Sequence, residues 1–580
     1  MNLKELELKL NDYKIISFDF FDTLFLRKVE DPESVFDLVG MKFGIDNFKV
    51  LRKEAQKLAF AEMITNDKKE ITLDNIYDNF KSLNSTKINE IKSYEFKAEL
   101  DVIYPNPEII FLFETALKLN KIVVITSDMY LPVTYFELCL EKYNLPKTPL
   151  FISSDRNSTK RDNGEIFEKL INEFTVAPED ILHIGDNYLA DVEKAEEKGL
   201  NAYYYEFSEM GMSKNISISD SVVSGLTDYR IHNFPVDSGE NFAYSHGGPT
   251  VTGFNQWLLK ASSKDNIDVL LYLARDGYMI KKCTDMASTK NNITLPSLYF
   301  KGSRTSFILS SITSCNFNEY IPYFVSGAYE LSAHELFERI GVVPPSQKVL
   351  DSLGFYEDIA LKNINYDSIY NLLSSMKKDI LKVCRENRRG LHLLLSELNL
   401  PENANIGIVD VGWKGSTQEA FEAAIAPYFK FNIYGYYFCL TERHGDNKRS
   451  MISDMNFSDE KIDAIYKNRI VFELLFSAPH ETIIGHIPCE GGVSFIEDDR
   501  QSTARTFFTP FERGMVAFFD EYEKLVKCLD FTPEVAALIT PFVEFAISGE
   551  WKKNQYISHI QNFDAWSATK NMTFTPSQYI

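Results

Sequence analysis

Two hydrophobic periods organise this chain. Short apolar, β-prone runs that stop abruptly at polar residues predict buried strands at IISFDF (15–20), KIVVITS (121–127), PLFISS (149–154) and DILHIGD (180–186), with a shorter one at NAYYYEF (201–207). Between them, apolar residues recur at three- and four-residue spacing, which predicts helices. These helices cover residues 31–100, PEIIFLFETALKLN, EIFEKLINEF and YLADVEKAEEKG. Strands alternating with helices imply a parallel α/β sheet, whose ligands sit at the carboxyl ends of the strands. Residues 208–250, rich in Ser, Asp, Asn and Gly, read as a linker or crossover. A second α/β region follows over 251–505, with strands expected at 268–274, 297–300, 405–411 and 431–440 and helical insertions over 330–400. The segment 506–580 reads as helical. At 580 residues the chain exceeds what one core serves, about 250–300 residues, so at least two domains are expected.

Polar residues collect at the predicted strand ends of the first region. Asp19 closes the first strand in FDFFDTLF, and Thr126 and Ser127 close the second. Lys160 stands just before a helix, and Asp186 and Asp191 follow the HIG strand end. Together these residue types suit phosphoryl transfer. A carboxylate attacks phosphorus, a hard cation held by oxygen ligands offsets the repulsion between two anions, and a lysine and a hydroxyl steady the phosphoryl oxygens.

This set, Asp19 with Thr23, then Thr126 or Ser127, then Lys160, then Asp186 with Asp191, resembles the haloacid dehalogenase (HAD) superfamily over residues 13–205. The resemblance implies a Rossmann-like domain over 1–207 with a mobile helical cap at about 28–100. It further implies a nucleophile at Asp19, assisted by Thr23, and phosphate contacts from Thr126, Ser127 and Lys160, Ser127 being favoured as nearer the strand end. Mg²⁺ would be held by Asp19, the backbone carbonyl of Phe21, Asp186 and Asp191. One position departs from the phosphatases of the family: Phe21 stands where they carry an acid–base aspartate. On an extended strand its neighbour Asp22 would face the other way. Three readings stay open. The leaving group needs no proton, another residue supplies it, or the domain binds a phosphorylated ligand with little turnover. Dehalogenation is a further alternative, opposed by the metal-type acidic cluster.

In the second region, Arg275, Asp276 and Gly277 follow a predicted strand. Asp410 in VDVGWKGST precedes Lys414, Ser416 and Thr417 at a helix start. Glycines and a helix N-terminus suit an anion. The loop resembles the phosphoribosyl-diphosphate loop of type I phosphoribosyltransferases, except that Val409 replaces the first acid. Glu473, an acid inside the apolar run RIVFELLFSAP, calls for a partner. The whole layout also resembles long bacterial proteins associated with surface-polysaccharide biosynthesis. Of the histidines, His183 reads as structural, while His246 and His480 stay open.

Composition narrows the partners. A net charge of −22 repels nucleic-acid backbones, so no nucleic acid is expected. Seven scattered cysteines without CxxC pairs argue against a disulfide framework, and with no signal peptide or transmembrane run they point to a cytoplasmic protein. The expected partner is a small phosphorylated substrate, a sugar or polyol phosphate. The alternative is a low-turnover scaffold serving a phosphate- or nucleotide-sugar-binding C-terminal domain. Oligomeric state is not legible from the sequence.

Overall fold

The structure is a computed structural model that describes residues 3–80, 85–206, 216–233, 238–291, 295–442, 445–497 and 504–558. The chain divides into two compact units, one formed by residues 1–236 and 520–537, the other by 237–519 and 538–580.

The first unit contains β1 (Ile15–Phe18), β2 (Phe25–Arg27), β3 (Ile103–Pro105), β4 (Ile122–Ser127), β5 (Leu150–Ile152), β6 (Ile181–Gly185) and β7 (Asn201–Tyr204). Five of these form a parallel sheet in the order β5-β4-β1-β6-β7. Successive residues of β1 serve opposite faces, as a strand dictates. Ile16 and Phe18 join one apolar cluster, while Ile15 joins another with Val124, Phe167 and Leu170. The chain crosses from β1 to β4 on one side and reaches β6 on the other, so the order of strands reverses between β1 and β6. Ligands of such sheets sit at that crevice. The expected strand at 15–20 is shorter than its apolar run. It ends at Phe18 because residues 19–24 turn, with Asp22 in the left-handed region at φ 56°.

Within the stretch 31–100 expected to be helical, the described residues form helices at Ser34–Phe43, Phe48–Thr65, Leu73–Tyr77 and Ser85–Val102. The antiparallel ribbon β2–β3 brackets this insertion, with Phe25 opposite Pro105. Inside it lies a fully buried ion pair. Arg52 meets Glu95 at 2.8 and 2.9 Å, and the Tyr77 hydroxyl donates to the same carboxylate at 2.6 Å.

The expected linker, 208–250, is largely helical where it is described. Helices cover Ile218–Asn233 and Gly239–Phe242, and another runs from Gly248 to Lys264. Apolar Ile218, Val222, Val223 and Leu226 sit at helical spacing and are buried, which overrides the Ser/Asp-rich composition. Helices also form at Ala504–Leu529 and Val535–Ser548 in the C-terminal segment.

The second unit holds β8 (Val269–Leu273), β9 (Ser297–Phe300), β10 (Asn405–Trp413), β11 (Asn432–Leu440) and β12 (Lys448–Ser450) in one parallel sheet, ordered β12-β11-β10-β8-β9. Numbered along the unit this is 2-1-3-4-5, the other common doubly wound order, and its reversal point lies between β8 and β10. A two-stranded hairpin, β13 (Ile483–Cys489) and β14 (Gly492–Glu497), packs on the helix Lys377–Ser396. β10 runs two residues past its expected end, so Asp410 lies inside the strand rather than at its tip. No described helix is long and apolar enough to cross a membrane.

Candidate active site

The reversal point between β1 and β6 collects the polar residues of the first unit. Asp19 follows β1 directly, and its N–H donates to Ile184 O of β6 at 2.8 Å, which fixes it at the crevice. Lys160 reaches in from the loop before the helix Glu165–Phe174. Its Nζ donates to Asp19 Oδ1 at 2.6 Å and to Asp191 Oδ1 at 2.5 Å, and all three residues are buried. Asp191 is carried by a π-helical turn, Tyr188–Glu193. Asp186, just after β6, accepts from the Thr23 hydroxyl at 2.9 Å. One carboxylate oxygen each from Asp19, Asp186 and Asp191 lie within 4.8 Å of one another.

Below this triad runs a chain of buried hydrogen bonds. Thr126 Oγ1 meets Ser17 Oγ at 2.9 Å, Ser17 meets His183 Nδ1 at 2.8 Å, and His183 Nε2 meets Asp191 Oδ1 at 3.1 Å. Thr126 is thus occupied inside the sheet, whereas Ser127 stands at the end of β4. Sequence reading missed Ser17, a polar residue stranded in an apolar strand, and took His183, stranded likewise, as structural, which its two buried hydrogen bonds fit. That anomaly was the available signal, because a buried polar group needs a partner. It also missed Asp128. The carboxylate of Asp128 accepts from the Lys160 and Arg161 N–H groups at 2.8 and 2.9 Å and so shapes the lysine loop. Arg161 in turn pairs with Glu70 of the helical insertion at 2.7 and 3.0 Å.

Electrostatics separates the acids. Burial raises Asp19 well above the ordinary carboxylate range, and Lys160 pulls against it. Burial also pushes Asp186 up to about 6, with the charge of Asp22 adding to the effect. Burial disfavours the charge on Asp191 too, but Lys160 and His183 outweigh it and hold that carboxyl below its usual range. On Lys160, burial is overcome by Asp19 and Asp191, so its charge is secured. His183 is pushed down by burial.

These donors suit a hard divalent cation. Magnesium takes one or two carboxylates and fills its remaining positions with water and substrate oxygens. Asp19 and Asp186 present oxygens at the crevice. The oxygens of Asp191 are already engaged, Oδ1 by Lys160 and His183 and Oδ2 by the Asn187 N–H at 2.9 Å.

Phe21 does not sit on an extended strand, so the alternation expected for Phe21 and Asp22 does not apply. The Phe21 ring packs against Phe20, Tyr135 and Phe136, and the Arg27 guanidinium lies 4.3 Å above it. The turn leaves the Asp22 carboxylate 40% exposed and paired with Arg27 at 3.3 Å.

In the second unit, Arg275 and Asp276 follow β8, and Ser416 and Thr417 open the helix Ser416–Ile425. Lys414 is exposed. Glu473 finds the partner it calls for, accepting from the Trp413 indole N–H at 2.9 Å. His246 lies in a helical segment with its ring stacked 4.6 Å from Phe545, not in a polar loop. His480 meets the Tyr299 hydroxyl at 2.5 Å.

No family model and no curated protein matches the chain. Among solved structures, its N-terminal part is similar to the L-2-haloacid dehalogenase of Xanthobacter autotrophicus, at 14% identity over 33% of this chain and 76% of that one, TM-score 0.25. It is similar to a HAD family enzyme of Bacteroides thetaiotaomicron in complex with magnesium and inorganic phosphate, at 17% identity over 34% and 96%, TM-score 0.25. It is also similar to a predicted phosphatase of Clostridium acetobutylicum, at 16% identity over 37% and 90%, TM-score 0.24.

Proposed function

We propose that the first unit is a magnesium-dependent hydrolase or phosphotransferase of the HAD type, acting on a small phosphorylated metabolite, a sugar or polyol phosphate, through an aspartyl-phosphate at Asp19. The observation that carries this reading is the buried contact of Lys160 with both Asp19 and Asp191, beside Asp186, at the reversal point of the sheet.

The Asp19 carboxylate attacks phosphorus and the P–O bond to the leaving group breaks, the departing oxygen taking its proton from water. A second water then attacks the acyl phosphate and gives up its proton to solvent, which releases inorganic phosphate and frees the Asp19 carboxylate. Lys160 and the Ser127 hydroxyl steady the transferring phosphoryl oxygens. Asp19, Asp186, Asp191 and the Phe21 carbonyl would hold the Mg²⁺, which would supply charge neutralisation between nucleophile and phosphate. Asp191 also grips Lys160 and His183, which ties the cation centre to the lysine. Thr23 orients Asp186. The helical insertion shields the centre from water, with Glu70 clasping Arg161.

A surface-glycan pathway is the setting that the chain's layout supports. The test is phosphate release from a panel of sugar and polyol phosphates with Mg²⁺. Wild type is expected to turn over at least one of them, Asp19→Asn none. Equal release from the two would sink the reading. Ligand binding without release in wild type would favour the scaffold alternative.

A further inference from the structure

One carboxylate of the helical insertion reaches into the loops that carry the phosphoryl contacts. Glu70 lies in the segment between the helices Phe48–Thr65 and Leu73–Tyr77, and its side chain is 3% exposed. It accepts four hydrogen bonds. Arg161 gives two of them, from Nη1 at 2.7 Å and from Nη2 at 3.0 Å. The Ser153 hydroxyl gives the third at 2.8 Å, and the Ile71 N–H gives the fourth at 2.9 Å. Ser153 Oγ in turn accepts from the Met129 N–H at 2.8 Å. The loops after β4 and β5 and the lysine loop therefore meet on this one group.

The path from Glu70 to the reacting centre is short. Lys160 is the residue before Arg161, and Ser127 stands two residues before Met129. Asp128, between Ser127 and Met129, closes the circuit, since its carboxylate accepts the N–H groups of Lys160 and Arg161 at 2.8 and 2.9 Å. The lysine loop is thus gripped twice, by Asp128 at its backbone and by Glu70 at the Arg161 side chain.

Holding the insertion together is not the task of Glu70. That falls to the buried Arg52–Glu95 pair and to Tyr77. Nor does Glu70 alone tie the insertion to the sheet. The Lys69 N–H donates to Asn157 Oδ1 at 2.9 Å, and the Leu73 N–H donates to Tyr130 O at 2.9 Å. What Glu70 adds is a bidentate, charge-assisted grip, which fixes direction as well as distance. Direction matters because Lys160 Nζ must meet Asp19 and Asp191 at once. A displacement of about 1 Å at a reacting group costs roughly 100-fold in rate.

We propose that Glu70 is a positioning residue for the first unit's reaction: acting through Arg161, it sets the loop that delivers Lys160 to the phosphoryl group, a role that rests on the aspartyl-phosphate reading of that centre. The insertion then takes part in placing the lysine and is not only a cover.

The test compares full-length wild type with Glu70→Gln, Arg161→Gln and the double variant, by hydrogen exchange read by mass spectrometry and by steady-state phosphate release. The Arg161 side chain is 36% exposed, so Glu70→Gln strands no buried charge. Exchange over 157–164 is expected to rise at least about tenfold in each variant, while that over 48–65 and 85–102 keeps the wild-type rate. kcat is expected to fall about 10–100-fold with KM near wild type, because the placement of the lysine counts in the transition state. The double variant should fall no further than the lower single one, since both break the same contact. Exchange over 157–164 left unchanged by Glu70→Gln overturns the proposal. So does a rise that covers 48–65 and 85–102 equally, which would make Glu70 a structural residue of the insertion. A raised KM with kcat intact also overturns it, by assigning Glu70 to the holding of substrate. Exchange needs no substrate. A panel on which wild type releases no phosphate counts against the aspartyl-phosphate reading, while exchange over 157–164 still decides whether Glu70 sets the lysine loop.

Discussion

Asp191 shows how much one buried side chain organises. It touches Lys160, His183 and the Asn187 backbone, so its removal disturbs the lysine and the cation centre rather than the nucleophile directly. Asp191→Asn is therefore expected to lower phosphate release about 10–100-fold, the range for groups that orient those contacting metal or substrate. Steady-state kinetics with a metabolite that wild type hydrolyses would check this, and unchanged turnover would refute it. His246 gives a residue-scale prediction in the second unit. Burial among aromatic rings pushes it down to about 4 from an ordinary 6.5. Above pH 6.5 the ring is neutral in both folded and unfolded chains and costs nothing. As the pH falls from 6.5 towards 4, the unfolded chain takes up a proton that the folded one refuses, so stability is lost, up to about 2–3 kcal/mol. His246→Leu should leave the urea midpoint at pH 7.5 near wild type and blunt its decline between pH 6.5 and 4.5. An undiminished decline would assign the acid sensitivity elsewhere.

At the scale of elements, the helical insertion depends on the Arg52–Glu95 pair that joins its helices Phe48–Thr65 and Ser85–Val102. Breaking such a pair by removing one partner strands a buried charge and costs about 3–5 kcal/mol, whereas an apolar pair of similar volume is near neutral. Glu95→Leu alone should destabilise the first unit strongly, and Arg52→Met with Glu95→Leu should recover most of the loss in thermal melts. The helix Ile218–Asn233 makes a comparable case. Gly225 packs where a Cβ would lie 2.3–2.4 Å from the backbone of Lys28 and Val29. Gly225→Val should lower stability by about 1–3 kcal/mol through overpacking. An unchanged melting temperature would show that this helix is not docked as described. The helix was invisible to composition because the segment 208–250 around it is rich in Ser, Asp, Asn and Gly, while Ile218, Val222, Val223 and Leu226 carry the packing.

At the scale of the whole molecule, both units are doubly wound sheets with polar groups gathered where the strand order reverses. The two reversal points differ in charge logic. The first gathers three carboxylates, two of them on one lysine, and at the second burial raises Asp276 and Asp410 above the ordinary carboxylate range. A cation should therefore act on the first unit. Mg²⁺ at about 100 times its Kd is expected to stabilise that unit by about 2.7 kcal/mol, an effect that Asp186→Asn should remove. Differential scanning calorimetry with and without MgCl₂ checks it, and a shift that survives Asp186→Asn would place the ion elsewhere.

The hydrophobic periods alone determined that this is an α/β chain. Residue types marked the site locally: Asp19 and Asp186 because a strand that stops at an acid is a local signal, Lys160 by its place before a helix, and Asp191 by its spacing from Asp186. Tertiary structure decided what those residues touch. Asp191 binds Lys160 and His183 because a π-helical turn folds it back under the sheet, and no spacing rule reports that turn. Ser17 and Thr126 form one network because β1 and β4 are neighbours although 109 residues separate the pair. Phe21 and Asp22 escaped the strand rule because a left-handed turn replaces the strand there, and apolar composition does not distinguish the two. The nearness of Asp276 to Asp410 depends on strand order, which brings together residues far apart in the chain and which a period of two or 3.6 residues cannot encode.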